Sequence, residues 1–174
     1  VPGYRAVILD DAGEPVPDGQ SGRLAVKGPT GCRYLADDRQ RNYVSHGWNF
    51  TGDTYIRDAD GYFWYQARSD DMIVSAGYNI AGPEVEEVLL SHRLVAECGV
   101  VGLPDESRGQ VVTAFVVLTD GGEPGPALAA ELQDLVKQKI APYKYPRAIE
   151  FRAALPRTNT GKLQRFKLRD QPPA

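Results

Sequence analysis

Near the end of the chain, residues 156–165 read PRTNTGKLQR, which sets Lys162 after Thr-Gly in a run of small polar residues. A phosphate loop needs a Gly five residues before its Gly-Lys pair and a Ser or Thr directly after it. Pro156 and Leu163 hold those places, and too few residues follow to build a nucleotide-binding sheet. Lys162 is therefore not a P-loop lysine. That leaves a lysine with some other task or one that merely sits in a surface turn.

Three further stretches carry chemistry. FTGDTY is expected to place Asp53 in a loop between strands, where an ionised carboxylate, a pure acceptor, can take both hydrogen bonds of a sugar diol. An Asx-turn closing that loop is the alternative. Arg68 lies fifteen positions on, beyond the turn-forming DADG at 58–61, so a hairpin folding back there returns it toward Asp53. Such a pair would grip a ribose or form a plain salt bridge. SAGYN sets Ser75, Ala76 and Gly77 in an otherwise apolar run. A glycine there marks either a close approach to the backbone or a simple turn. PYKYPR interleaves Tyr143 and Tyr145 with Lys144 and Arg147, a pairing of rings and cations that suits an adenine-bearing phosphorylated ligand. Without a wider aromatic platform it does not point to nucleic acid. His46 and His92 have no sequence partners for a triad or a zinc site.

The elements that must position these residues fall into two groups. Residues 1–69 read as β-rich, with strands in YRAVILDD and GRLAVKG, a polar, helix-compatible stretch LADDRQRNYVSHG, and an aromatic hairpin around DADG. Residues 70–174 read as a compact α+β unit: two short strands around Gly77 and a helix opening at Gly82-Pro83 on Val85, Val88 and Leu89. Strands VAECGVVGLP and QVVTAFVVLTD follow, with GLPDESRG as their loop. A second helix carries Leu128, Leu132, Leu135, Val136 and Ile140. RAIEFRAALP is a last strand, and a short basic helix bears Arg165 and Arg169.

An apolar content of 42% and a charged content of 25% fit a globular domain, and no apolar run approaches a membrane span. Cys32 and Cys98 form neither a metal spacing nor a disulfide framework, so a reducing cytosol is the expected compartment. The net charge of −3 hides a strong asymmetry, because residues 71–136 are acidic and 137–174 basic. A basic tail can meet a phosphorylated small molecule, nucleic acid or its own acidic neighbour. The chain begins at Val1 and reads from the start like the middle of a domain, so a fragment is expected.

Taken in order, these pieces resemble the adenylate-forming enzymes: acyl- and aryl-CoA synthetases, peptide-synthetase adenylation domains and luciferases. GWNFTGDTYIRDADGYFWYQARSDDMIVSAGYNIAGPEVEEVL is similar to the family's Thr-Gly-Asp and hinge motifs, and PRTNTGKLQR to its terminal lysine motif. Residues 26–53 further resemble benzoate and 2-aminobenzoate CoA ligases. The resemblance implies the C-terminal end of a large AMP-binding domain over 1–69 and a small mobile domain over 70–174. It implies that Asp53, assisted by Arg68, binds the ribose of ATP, that Asp70 is the hinge, and that Lys162 is the catalytic lysine. Ser75, Ala76 and Gly77 would line the path of the pantetheine arm of CoA. Mg2+ would be held mainly by the upstream part of the large domain. Ala67 departs from the family's usual Gly before the Arg.

The implied function is part of an ATP-dependent ligase that activates an aromatic carboxylate as acyl-AMP and passes it to CoA, with no nucleic-acid or membrane partner. As a fragment the chain would be inactive alone. An adenylation domain loading a carrier protein and a non-catalytic nucleotide- or CoA-binding module are the alternatives.

Overall fold

The computed structural model describes residues 2–29, 31, 38 and 40–170. Cys32 and most of the run up to 39 lie outside them, and with them part of the stretch that resembles benzoate ligases. The chain divides into two compact units, Val1–Asp70 and Asp71–Ala174.

The first unit is an antiparallel sheet. β1 (Arg5–Leu9), β2 (Ser21–Lys27), β3 (Val44–Ser45), β4 (Trp48–Arg57) and β5 (Phe63–Arg68) lie in the order β1-β2-β4-β3, with β5 also on β4. Part of the polar stretch becomes a single helical turn, α1 (Gln40–Tyr43). Alternation buries Leu9, Ala25 and Phe50 on one face as the core. The β4–β5 connection is closed by Asp58, whose carboxylate accepts from the backbone N–H of Tyr62 at 2.8 Å and from Trp64 Nε1 at 2.7 Å. Thr51-Gly52-Asp53, expected in a loop, lies instead inside β4. Gly52, with φ of +82°, lets the strand bulge there without ending. Ala67 is fully buried opposite Thr54 in the same ladder, so its methyl group is accommodated.

The second unit packs helices on one face of a mixed sheet and the chain's tail on the other. Its strands are β6 (Met72–Ser75), β7 (Tyr78–Ala81), β8 (Val95–Asp105), β9 (Gly109–Leu118) and β10 (Ala148–Phe151). β9 pairs along its length with β8, in parallel with β10, and at Gly109 with β6. Pro83 in the first turn of α2 (Gly82–Leu90) gives up an N–H that has no helical partner anyway, and Glu84 meets the positive helix end. α3 (Pro126–Lys139) buries Leu128, Leu132 and Val136, one turn apart, against Val85, Leu89, Val100, Val112 and Val116. On the opposite face Val101, Leu103 and Phe115 are covered by Leu155 and by Leu168 of α4 (Arg165–Arg169). Because β8 and β9 are buried on both faces, their sequences read as continuous apolar runs.

Two boundaries differ from expectation. β8 continues through Pro104 to Asp105, which shortens the expected GLPDESRG loop to residues 106–108. β8 has β9 as its only strand partner among the described residues, so a proline without an N–H is tolerated on its outer side. β10 ends at Phe151 rather than near Leu155, because the chain leaves the sheet after Arg152 N–H bonds to Val116 O at 2.8 Å.

Candidate functional site

In the first unit the β4–β5 ladder sets Asp53 directly opposite Arg68. Arg68 Nη1 lies 3.6 Å from Asp53 Oδ1, and its Nε lies 3.5 Å from Asp70 Oδ1. Partial burial opposes the charge of Arg68, but the carboxylates of Asp70 and Asp53 outweigh it and hold the guanidinium above its ordinary value. Asp53 lies within a strand rather than at an Asx-turn: its backbone N–H donates to Thr51 Oγ1 at 3.2 Å, and its carboxylate faces Arg68. At Gly52 a side chain would start 3.0 Å from Arg68 Nη2, so the glycine leaves room for the guanidinium as well as permitting the bulge. A cavity of about 170 Å3 opens beside them, lined by Arg23, Tyr43, Phe50, Gly52, Arg68, Ser69 and Asp70. Arg23 and Tyr43 come from β2 and α1, and no local pattern in the sequence marks them.

In the second unit Ser75, Ala76 and Gly77 form the tight turn of the β6–β7 hairpin. Ser75 pairs with Tyr78, and Ala76 and Gly77 take φ of +49° and +82°, the mirror-image turn that suits strand twist. Glycine adopts this freely, whereas alanine in the left-handed region is strained by about 1–2 kcal/mol. The turn is braced by the β8–β9 connection: Ala76 N–H donates to Arg108 O at 2.9 Å and Arg108 Nε donates to Ser75 Oγ at 3.3 Å. Asp105 caps that connection, accepting from Ser107 Oγ at 2.8 Å and Arg108 N–H at 2.8 Å. Nothing stands within 4 Å of the place a Gly77 side chain would occupy.

Lys162 rides on a loop closed on itself. Arg157 and Leu163 form a β-bridge at its base. Thr158 N–H donates to Lys162 O at 2.8 Å, and Lys162 N–H returns a bond to Thr158 Oγ1 at 3.0 Å. Its ammonium is exposed and pairs with no carboxylate among the described residues. The rest of the basic tail largely meets the acidic segment of its own unit. Lys144 pairs with Glu84 at 2.6 Å, Arg165 with Glu86 at 2.6 Å and Arg169 with Asp71 at 3.0 Å, and Arg157 pairs with Glu97. Of PYKYPR, Tyr143 stacks on Tyr78 with centroids 4.4 Å apart, and the Tyr145 ring meets Lys137 at 4.6 Å and Arg147 at 4.9 Å.

Glu97 and Asp105 lie eight residues apart on β8, about 26 Å of strand at about 3.3 Å per residue; the Lys162 loop is tied to the first, and the Gly77 turn is braced by the connection that follows the second. Cys98 takes no part: burial, reinforced by Glu86, pushes its thiol up to about 12. Among the described residues no group of three or more His, Cys, Asp or Glu gathers as a metal cage, and no helix is long and apolar enough to cross a membrane.

Comparison with known proteins matches residues 84–162 to the AMP-binding enzyme C-terminal domain. The chain is 44% identical over 97% of its length to the human mitochondrial acyl-coenzyme A synthetase ACSM4, of which it covers 30%. Among solved structures, the anthranilate CoA ligase AuaEII in complex with anthranoyl-AMP superimposes with a TM-score of 0.82 at 42% identity over 97% of the chain and 33% of that ligase. A benzoate CoA ligase from Burkholderia xenovorans gives a TM-score of 0.80 at 44% identity over 97% of the chain and 34% of that enzyme. The chain thus spans about a third of the length of these relatives.

Proposed function

Residues 84–162 belong to the AMP-binding enzyme C-terminal domain family, and from that premise we propose that the protein acts in an ATP-dependent acyl-CoA ligase. In the first half-reaction a carboxylate oxygen attacks the α-phosphorus of ATP, a new P–O bond forms, and pyrophosphate leaves. Two anions must approach, and the Lys162 ammonium bridges the attacking carboxylate and the nucleotide, offsetting their repulsion. Asp53 accepts from the ribose hydroxyls, with Arg68 beside it. In the second half-reaction the CoA sulfur attacks the acyl carbonyl, its proton is lost, and AMP departs. A lysine held at the reaction centre would obstruct that approach. We therefore assign Asp70 as the hinge between a large-domain end over 1–69 and a mobile domain over 70–174, which withdraws Lys162 and brings in the Ser75–Gly77 turn to line the pantetheine path. Mg2+ accompanies ATP in the proposed reaction, but the described donor set does not fit a metal cage, and no step is assigned through the ion.

The observation that carries this reading is the exposed Lys162 on a self-closed loop tied to one end of the β8–β9 ladder, with the open Ala76–Gly77 turn braced at the other. Two chemical faces on one unit suit two half-reactions. The test separates them. In the enzyme carrying this sequence, Lys162→Ala should abolish carboxylate-dependent ATP–pyrophosphate exchange yet spare thioester formation from supplied acyl-adenylate. Survival of exchange would remove the lysine from the mechanism. The finer proposal is an aromatic carboxylate of benzoate or 2-aminobenzoate type, supported by the likeness to benzoate and anthranilate ligases. A carboxylate panel decides it, and preference for a short aliphatic acid overturns the aromatic assignment alone.

A further inference from the structure

Lys162 can bridge two anions only if its loop is held in one place, and hydrogen bonds within the loop fix its shape without fixing it to the sheet. Two attachments do that. Leu163 packs into the apolar face at Gly99, where any side chain would start 2.9 Å from Leu163 Cδ2. The second attachment is Arg157. Its Nη1 donates to Gly161 O at 2.6 Å, directly before the lysine, while its Nε and Nη2 both reach Glu97 Oε2 on β8. One guanidinium thus ties the tip of the loop to the strand by donors pointing in two directions.

We infer that Arg157 and Glu97 are positioning residues for Lys162, holding the loop at the angle from which the ammonium reaches the reacting oxygens. This rests on the catalytic role proposed for Lys162. Both side chains are more than a third exposed, 43% and 40%, and exposed ion pairs contribute little to folding. Their value lies in geometry, and a displacement of about 1 Å at a reacting group can cost about 100-fold in rate.

Arg157→Ala is compared with Lys162→Ala in the enzyme carrying this sequence. The expected result is a fall of about 10- to 100-fold in kcat for ATP–pyrophosphate exchange with KM for ATP within about twofold. Thioester formation from supplied acyl-adenylate and the Tm should be near those of the parent. The exchanged pair Glu97→Arg with Arg157→Glu can restore an ion pair but leaves Gly161 O without its donor, so it should not recover exchange. Unchanged exchange in Arg157→Ala or an equal loss in both half-reactions would each overturn the inference, whereas full recovery in the exchanged pair would support positioning by the ion pair alone. If Lys162→Ala itself leaves exchange intact, the catalytic reading fails and the positioning inference falls with it. If only Arg157→Ala is silent, the catalytic reading stands.

Discussion

Arg68 stands between two carboxylates, 3.5 Å from Asp70, to which it hydrogen-bonds, and 3.6 Å from Asp53. Toward Asp53 it acts chiefly through charge, without consuming that carboxylate's acceptors. On the proposed reading this matters because a ribose diol needs both oxygens of Asp53 as acceptors. Asp53→Asn keeps the shape and removes the charge, and it replaces one acceptor by a donor. A hydrogen bond to a charged group contributes about 1.5–3 kcal/mol, so ATP affinity should fall about 10- to 100-fold. Equilibrium binding of ATP to the enzyme carrying this sequence measures it, and an unchanged affinity would take Asp53 out of the nucleotide site. Its opposite is Cys98, a thiol that burial holds up at about 12 and so makes a poor nucleophile at neutral pH.

At the scale of elements, each unit has a turn capped by an aspartate whose carboxyl is held below its ordinary value of 3.8. At Asp58 the side-chain bond from Trp64 is the largest cause, and at Asp105 the bond from Ser107. A depressed carboxylate stabilises the fold fully above the unfolded-state value, and the contribution is lost as pH falls from there through the lower folded value. Denaturation midpoints should therefore drop below about pH 4. Asp58→Asn with Asp105→Asn should start lower and show a shallower decline over that window, and an acid limb as steep as the parent's would show that other carboxylates set it. Turn chemistry of this kind was legible in the sequence: Asp58 to Gly61, the Ala76–Gly77 turn and the four-residue spacing of Leu128, Leu132 and Val136 are local patterns. The hairpin geometry that brings Arg68 to Asp53 follows from the same turn. The strand running through Thr51-Gly52-Asp53 was not legible, because a bulge at a positive-φ glycine and a loop look alike in one dimension. The ion pairs of the basic tail were open for a different reason. Arg169 and Asp71 meet only because α4 closes over the sheet, and no local periodicity reports on partners so distant in sequence.

For the whole molecule, the proposed two-step reaction requires that one unit move without melting the other. Each unit has its own apolar cluster: Leu9, Ala25 and Phe50 in the first, and the two faces of the β8–β9 ladder in the second. Folding cores that share no buried residue can unfold as separate cooperative blocks. The same independence is what a hinge at Asp70 needs, since a swing between two states must leave both packed interiors intact. Leu132 is fully buried against the helix-covered face, so Leu132→Ala should cost the second unit about 2–5 kcal/mol. Scanning calorimetry of the chain should then show two transitions, one moved down by this substitution and one unmoved. A single transition displaced as a whole would mean that the two cores melt as one block, and the proposed hinge would lose its physical basis even if Lys162 kept its role in adenylation.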